Sequence, residues 1–291
     1  MSCQTSHGRA TIRQLCRAFG VSPQAYYAAR RPPRPARLRP AAAAPRWASV
    51  PQLEAPIRQC VEAHPAWGVR KVWATLRRQG LRVSHKRVWA LMRQWGLVLP
   101  PPALRDPQAP RGHVSVPESN RRWGTDLTTT WTRQDGWVAI VPVVECGDRS
   151  CLALGASRAQ DTEVVLAPVV AALTAEYGTS AEVPPGLELR TDHGPQYTGS
   201  DCETLCHDWH LDHTFAPVGR PTGNAVTERF ILTLKQELLW TRDWESLAEL
   251  RQALELWRAE YNYQRPHQAL GWRTPAEQRA LNLGLPLPVA A

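Results

Sequence analysis

The chain has 291 residues, 43% of them hydrophobic, and a formal net charge of +9, which favours about two domains of ordinary size and excludes a wholly disordered protein. Residues 1–113 carry 20 basic and 3 acidic side chains, a balance of +17, while residues 114–291 carry 15 basic and 23 acidic ones, a balance of −8. The first part therefore favours a polyanionic partner, most simply nucleic acid, and metal binding is the first use to test for the carboxylates of the second part.

Membrane proteins, disulfide-stabilised secreted proteins and phosphate-loop NTPases do not fit this sequence. The uncharged stretch Val164–Ala175 is too short to span a bilayer, and no segment has the order of a secretory signal. The seven cysteines are odd in number and scattered, which indicates reduced thiols. Every lysine follows a residue other than glycine, so a Gly-Lys phosphate loop is excluded. We therefore expect a cytoplasmic, nucleoid-associated protein without a membrane partner.

Residues 1–50 are predicted to hold a helix-turn-helix-like segment and a linker. Apolar residues recur at helical spacing over Thr11–Ala18, and Gly20 ends this helix. Ser22-Pro23 combines an N-cap with proline at the first helical position, which begins a second short helix. The Pro- and Arg-rich stretch Arg31–Pro51 is typical of an extended linker.

Residues 51–99 are predicted to form a basic helical domain that binds DNA. Helices are expected over about Glu54–Ala63 and Val69–Gln79, and Ser84 caps a third. The outward basic side chains predicted to contact DNA are Arg70, Lys71, Arg77, Arg78, Lys86 and Arg87. The plainer interpretation is a small bundle with a solvated charged face, but the scarcity of acidic residues favours DNA binding.

A Pro-rich linker, residues 100–118, leads to a predicted α/β domain over residues 119–240. Trp123–Thr132 alternates as a strand does, and Asp135-Gly136 is a hairpin turn signal. The elements expected after it are strands over Trp137–Val144 and Cys151–Ser157, a helix over Asp161–Tyr177, a strand over Leu187–Thr191, a helix over Thr198–Trp209, a strand over His213–Ala216, a Gly/Pro loop over Gly219–Gly223 and a helix from about Asn224 to Trp240. This order predicts an α/β fold like ribonuclease H, a mixed five-stranded sheet with flanking helices, followed by a C-terminal helix and tail over residues 241–291.

Three carboxylates take special places in that order. Asp126 lies in the first strand, Asp192 ends the fourth, and Glu228 lies in the first turns of the last helix. Singly, such residues are usually turn, cap or solvated side chains. Jointly, three carboxylates can hold two divalent cations about 3.5–4 Å apart for chemistry at phosphorus, and Mg²⁺ suits oxygen ligands. Lys235 follows Glu228 by seven residues and shares its helix face, so it is predicted to contact a DNA phosphate unless it is an ordinary surface lysine.

Two further clusters leave alternatives open. Cys202, Cys206 and His210 recur every four residues, with His207 and His213 close by, which fits either a zinc site or one buried stripe of a helix with core thiols. Arg265, in the Arg-Pro-His stretch of the tail, either contacts DNA or docks the tail.

The motifs together resemble those of the DDE transposases and integrases. The matching segments are Trp123-Gly-Thr-Asp126, Thr191-Asp-His-Gly-Pro-Gln-Tyr197, Asn224-Ala-Val-Thr-Glu228 and Leu234-Lys-Gln-Glu237. The tail from Tyr261 to Gly271 is typical of one group of bacterial insertion sequences whose transposase comes from two overlapping frames, and the chain resembles the second-frame product over about residues 10–280. It departs from the pattern at Arg229, where a small residue is common, and in the loop Ala216–Thr222.

The resemblance implies a retroviral-integrase-like core that transposes DNA. Asp126, Asp192 and Glu228 carry over as catalytic metal ligands for two Mg²⁺ ions, for which Mn²⁺ substitutes, and Lys235 as a phosphate contact. Water is expected to cut one strand at the element's end, and the freed 3′-hydroxyl then attacks another phosphodiester. The implied partners are the element ends and target DNA, a first-frame protein or frameshift fusion, and further copies of the chain on DNA. Because the chain starts without the heptad segment of a first-frame product, we expect it to recognise element ends poorly alone.

Two other functions stay open on the sequence. A DNA-binding regulator, or an inactive transposase remnant, would bind DNA in a salt-sensitive way without metal-dependent cleavage. A hydrolytic nuclease would cut strands without joining them.

Overall fold

Two units divide the chain, one over residues 1–46 and one over residues 47–291. The computed structural model describes residues 4–5, 8–9, 11–30, 48–100, 116–216 and 224–288. In the first unit, a short antiparallel pair, β1 (Gln4–Thr5) and β2 (Gly8–Arg9), precedes helices α1 (Ile12–Ala18) and α2 (Pro23–Ala29). Thr11 caps α1 through its hydroxyl, and α2 begins at Pro23. Both helices therefore begin within a residue of their predicted starts. Most of the predicted linker Arg31–Pro51 lies outside the described residues.

Within residues 48–100, three helices surround a small core of their own. They are α3 (Val50–Ala63), α4 (Val69–Arg78) and α5 (His85–Gln94). The predicted start of α3 at Glu54 was wrong by four residues, because Ser49 forms a capping box with Gln52 and Pro51 lies in the first turn, where proline costs no hydrogen bond. The apolar core that the three helices share consists of Leu53, Ile57, Val72, Leu76, Val83, Val88 and Met92.

A mixed sheet forms the centre of the second half of the chain. In the described residues its strands are β3 (Arg122–Thr125), β4 (Thr128–Thr132), β5 (Gly136–Glu145), β6 (Cys151–Ser157), β7 (Glu188–Thr191) and β8 (Asp212–Phe215). β5 pairs antiparallel with β3, β4 and β6, whereas β7 runs parallel to β3 and β8 parallel to β7. Across the sheet the strand order is β6, β5, β3, β7 and β8, and β4 pairs with β5 as β3 does. The first strand is therefore central, as predicted.

The first strand is interrupted where the sequence predicted one continuous strand. β3 and β4 both pair with β5, and the break between them falls at Asp126 and Leu127. The cause is local, since Asp126 Oδ1 accepts a hydrogen bond from the backbone N–H of Leu127 at 2.8 Å. The five predicted strand positions are therefore confirmed among the described residues, with the first one built from two segments.

Helices cover both faces of this sheet, which confirms the predicted layered α/β architecture. They are α6 (Thr162–Tyr177), α7 (Pro195–Thr198), α8 (Ser200–Asp208), α9 (Ala225–Leu234), α10 (Leu247–Tyr263) and α11 (Pro275–Leu283). The predicted helix Thr198–Trp209 is α8, and the short helix α7 before it was not predicted. The predicted helix to Trp240 widens after α9 into a π-helical turn, Lys235–Leu239. The predicted loop Gly219–Gly223 lies outside the described residues, and the tail holds two helices rather than one.

Alternate side chains of β5 enter two different cores. Val141 and Val143 pack toward α6 and α8, while Val138 and Ile140 pack toward α9 and α10. A strand that is buried on both faces has a continuous run of apolar residues in its sequence. For this reason both ends of β5 were predicted to within one residue. Within the described segments, none of the helices is both long enough and apolar enough to cross a membrane.

Candidate active site

Asp126 stands half-buried at the break in the central strand. Burial, together with the negative charges of Asp192 and Glu228, raises the pKa of its carboxyl to about 6, although the N–H of Leu127 and the charge of Lys235 act in the opposite direction. The three predicted carboxylates and Lys235 are therefore close enough to interact. Below about pH 6 the Asp126 carboxyl is neutral, so a cation that binds there displaces a proton.

Asp192 reaches the same end of the sheet from the neighbouring strand. In the parallel pairing of β3 with β7, Gly124 lies opposite Arg190, so Asp126 and Asp192 each follow two residues later at matching positions. Asp192 is exposed, and its Oδ1 accepts the N–H of Gly194 at 2.9 Å, which closes a tight turn after β7. A Cβ at Gly194 would lie 3.0 Å from that oxygen, so this turn favours glycine.

Glu228 is brought to the two aspartates by an unusually close approach of α9 to β3. A Cβ at Gly124 would lie 2.1 Å from Thr227 Oγ1 and 3.0 Å from Asn224 Oδ1. Asn224 precedes the first turn of α9 as predicted, but its side chain makes no capping hydrogen bond, and its Nδ2 instead donates to the carbonyl of Thr125 at 3.3 Å. Partial burial raises the pKa of Glu228. Gly124 therefore sets the distance between the helix that carries Glu228 and the strand that carries Asp126.

Replacing Gly124 tests this close approach. We expect Gly124→Ala to push α9 away from β3, to destabilise the chain by about 1–3 kcal/mol as overpacking does, and to lower DNA cleavage at least about tenfold. Chemical denaturation and a gel assay of strand cleavage measure the two effects. Gly199→Ala is the control, since the nearest atom to its added Cβ is 3.5 Å away. Wild-type cleavage by Gly124→Ala would contradict the positioning role.

The donor set at this end of the sheet suits a hard divalent cation. Asp126, Asp192 and Glu228 offer carboxylate oxygens only, the ligands that Mg²⁺ prefers. Their charges also oppose one another, as the raised pKa of Asp126 records, so a bound cation would relieve that repulsion. Lys235, partly buried at the start of the π-helical turn, adds one positive charge beside them.

The predicted DNA contacts separate into exposed and paired side chains. Arg70, Arg77, Lys86 and Arg87 lie on α4 and α5 with exposed side chains. In contrast, three predicted contacts pair with carboxylates of the chain's own second half: Lys71 and Arg265 with Glu237, and Arg78 with Glu277. DNA contact by these three would require those ion pairs to be exchanged.

Glu237 is a residue that sequence reasoning missed. Its side chain is 7% exposed and binds Lys71 Nζ at 2.5 Å and Arg265 Nε at 2.8 Å. It thereby joins the helical domain, the π-helical turn after α9 and the segment after α10. Leu234-Lys-Gln-Glu237 was part of the family resemblance, but an isolated glutamate on an amphipathic helix gives no signal of a buried pair.

A basic cavity of about 990 Å³ lies between α4 and α9. Arg70, Arg149 and Arg229 line it, and the buried Nε of Arg149 has no hydrogen-bond partner. On α9 the cavity is lined by Arg229, the residue after Glu228, and on α4 by Arg70 and Lys71.

The structure also changes the predicted thiol cluster. His210 is exposed, whereas His213 on β8 brings its ring to the buried thiols of Cys202 and Cys206. Periodicity along one helix pointed to His210, and only the pairing of β8 beside β7 brings in His213.

Comparisons with known proteins agree with this architecture. A model of an HTH-like domain matches residues 50–103, and two models of the integrase core domain match residues 116–221 and 210–275. The transposase InsD for insertion element IS2A/D/F/H/I/K of Escherichia coli is 31% identical over 236 residues, which cover 75% of this chain and 76% of the relative; InsD for IS2D of strain K12 matches equally. The simian T-cell lymphotropic virus intasome in complex with PP2A regulatory subunit B56 gamma shares the fold, with a TM-score of 0.50, 18% identity, and 81% and 78% of the two chains covered.

Proposed function

This chain, with its integrase core domain, belongs to the transposases of bacterial insertion elements, which cut and join DNA, and we propose that Asp126, Asp192 and Glu228 catalyse both steps. The single observation that carries the proposal is the convergence of the three carboxylates. Asp126 and Asp192 follow the ends of adjacent parallel strands in equal register, and the charges of Asp192 and Glu228 raise the pKa of Asp126.

The reaction needs no external energy source. Its first step hydrolyses one phosphodiester, and its second step exchanges one phosphodiester bond for another. Water attacks phosphorus at the element's end and releases a 3′-hydroxyl, and that hydroxyl then attacks a target phosphodiester while the P–O bond of the target breaks. Two bound Mg²⁺ ions, for which Mn²⁺ substitutes, would activate the attacking oxygen and stabilise the leaving oxygen. Asp126, Asp192 and Glu228 would hold the ions, and Lys235 would neutralise the charge of the phosphate beside them.

DNA is proposed to run from the helical domain along the basic cavity to the carboxylates. Exposed Arg70, Arg77, Lys86 and Arg87 are proposed to contact phosphates of the element end, and Arg149 and Arg229 would continue that surface toward Glu228. Because both element ends and the target must be held together, we propose that several copies of the chain act on DNA. The family resemblance adds a first-frame protein, or a fusion with it, as the proposed partner for recognising the ends.

Supplying the element's terminal sequences, a target duplex and the first-frame partner tests the function. With Mg²⁺ or Mn²⁺ we expect 3′-hydroxyl ends at the element boundary and products covalently joined to the target, and with Ca²⁺ or chelator we expect binding without chemistry. Denaturing gels with one labelled strand distinguish the two products.

The same experiment separates the alternatives. Salt-sensitive binding without cleavage under every metal would identify a regulator or an inactive remnant. Cleavage without joined products would identify a hydrolytic nuclease. Tight, end-specific binding by the chain without its partner would contradict the proposed need for a first-frame protein.

A further inference from the structure

We propose that Cys202, Cys206 and His213 bind one Zn²⁺ ion at a site separate from the catalytic carboxylates. One potential ligand atom from each of the three side chains lies within 4.8 Å of the other two, close to the separations that ligands of a single tetrahedral ion require. The ligands come from two elements, α8 and the strand β8 that follows it. The cluster therefore depends on the folded sheet and not on one helix stripe.

The spacing of the ligands suits a compact zinc site. Cys202 and Cys206 are one helical turn apart, so both sulfurs lie on the buried face of α8, with exposures of 0% and 5%. His213 follows seven residues after Cys206, beyond the short turn at Trp209 and His210. A Cys-x₃-Cys pair is within the range found in zinc proteins.

The chemistry of the donors selects zinc over magnesium. Thiolates and imidazole bind Zn²⁺ well, whereas Mg²⁺ prefers the oxygens offered by Asp126, Asp192 and Glu228. Two thiolates balance the charge of Zn²⁺, so the occupied site is neutral, as its apolar surroundings require.

His213 adds a nitrogen donor beside the two buried thiols. Buried thiols are ordinary core residues, and both cysteines do lie in the apolar cluster beneath α8. The imidazole of His213 reaches them from β8, where its ring centroid also lies 4.5 Å from that of Phe215. Thr191 Oγ1, 3.0 Å from His213 Nε2, further orients the ring, the kind of outer contact that metal-binding histidines have.

Bound zinc would stabilise the part of the sheet next to Asp192. The ion would tie α8 to β8, and β8 pairs with β7 up to Thr191, the residue before Asp192. In the described part of the sheet β8 is the outer strand, so this cross-link acts where the sheet has least support. Loss of the ion is expected to lower the melting temperature by about 5 °C or more.

Metal analysis of the full chain, purified without a histidine tag, tests the site. We expect one Zn²⁺ per chain by mass spectrometry, and on Co²⁺ substitution a thiolate-to-metal charge-transfer band in the near ultraviolet. We expect Cys202→Ala and His213→Gln to bind no zinc. The melting temperature of these two variants should then no longer change when chelator is added. Cys151→Ala and His210→Ala, which change a distant thiol and the exposed histidine, should keep both.

Metal content far below one Zn²⁺ per chain, or equal content in Cys202→Ala and the wild type, would overturn the site. Thiol titration that finds both cysteines joined in a disulfide would also overturn it. Asp126→Asn should keep its zinc, so failure of the zinc site and failure of the catalytic assignment are distinguishable.

Discussion

Asp126→Asn is expected to abolish strand cleavage while it stabilises the metal-free protein. Loss of one cation-binding carboxylate removes several kcal/mol of transition-state stabilisation, which corresponds to about a 10³-fold or greater fall in the rate. The amide oxygen of asparagine can still accept the N–H of Leu127 as Asp126 Oδ1 does, so the strand break is retained. Single-turnover cleavage of a labelled element end measures the first effect.

The gain in stability follows from the raised pKa of Asp126. The ordinary value of 3.8 rises to about 6 in the folded chain, so the folded state binds the proton more tightly and stability falls as pH rises from about 4 to 6. The penalty is complete above pH 6, and asparagine removes it. Discounted for partial exposure, we expect about 1–2 kcal/mol, or a rise in melting temperature of roughly 2–8 °C at pH 7.5 in chelator.

The pH dependence and a matched carboxylate make this prediction specific. The stability difference between Asp126→Asn and the wild type should vanish near pH 4 and grow through pH 6. Asp208→Asn, which changes a carboxylate on α8 with 64% exposure, should leave both cleavage and stability unchanged. Cleavage by Asp126→Asn above about one tenth of the wild-type rate would contradict its assignment as a metal ligand.

Elements whose limits are set by their own residues were predictable from the sequence. The hairpin turn before β5, the Ser84 cap of α5 and the Gly-ended α1 follow from local propensities that the tertiary structure supports. The start of α3 was missed because Pro51 looked like linker, and the break in the first strand because it depends on the side chain of Asp126 itself.

Site features that depend on distant segments were not predictable. Gly124 and Thr227 are about a hundred residues apart, and a glycine within a strand pattern signals a close approach without naming the partner. His213 replaces His210 because β8 lies beside β7, a pairing that helical periodicity does not report. Glu237 is buried against Lys71 and Arg265, partners that lie far from it in the sequence.

Glu237→Gln is expected to destabilise the larger unit by about 3 kcal/mol and to uncouple the helical domain from the catalytic site. Burial would raise the pKa of Glu237, but hydrogen bonds from Arg265 and Lys71 and their charges outweigh it and hold the pKa below its ordinary value. Glutamine leaves these two cations facing each other without a counter-charge, and breaking a buried pair in this way costs about 3–5 kcal/mol. The melting temperature should fall by about 6 °C or more.

Cleavage position should report the loss of coupling. Lys71 lies on α4, so its bond to Glu237 helps to fix the orientation of the helical domain relative to Glu228 on α9. When it is broken, DNA held by Lys86 and Arg87 is no longer aligned with the carboxylates. We therefore expect weaker cleavage spread over neighbouring phosphodiesters, whereas salt-sensitive binding of unrelated duplex DNA stays near wild type.

A second carboxylate between the same two parts of the chain provides the control. Glu260 pairs with His64 at 3.1 Å and is 31% exposed, so Glu260→Gln should cost less than about 1 kcal/mol. Lys71→Met combined with Glu237→Gln should cost less than the two single losses added together, because one uncompensated cation disappears. If Glu237→Gln melts within about 2 °C of Glu260→Gln, the three-way ion pair does not hold the domains together. The buried charge cluster at Glu237 then has no part in aligning DNA, and the shared apolar contacts, such as Trp73 against Trp272, must do so alone.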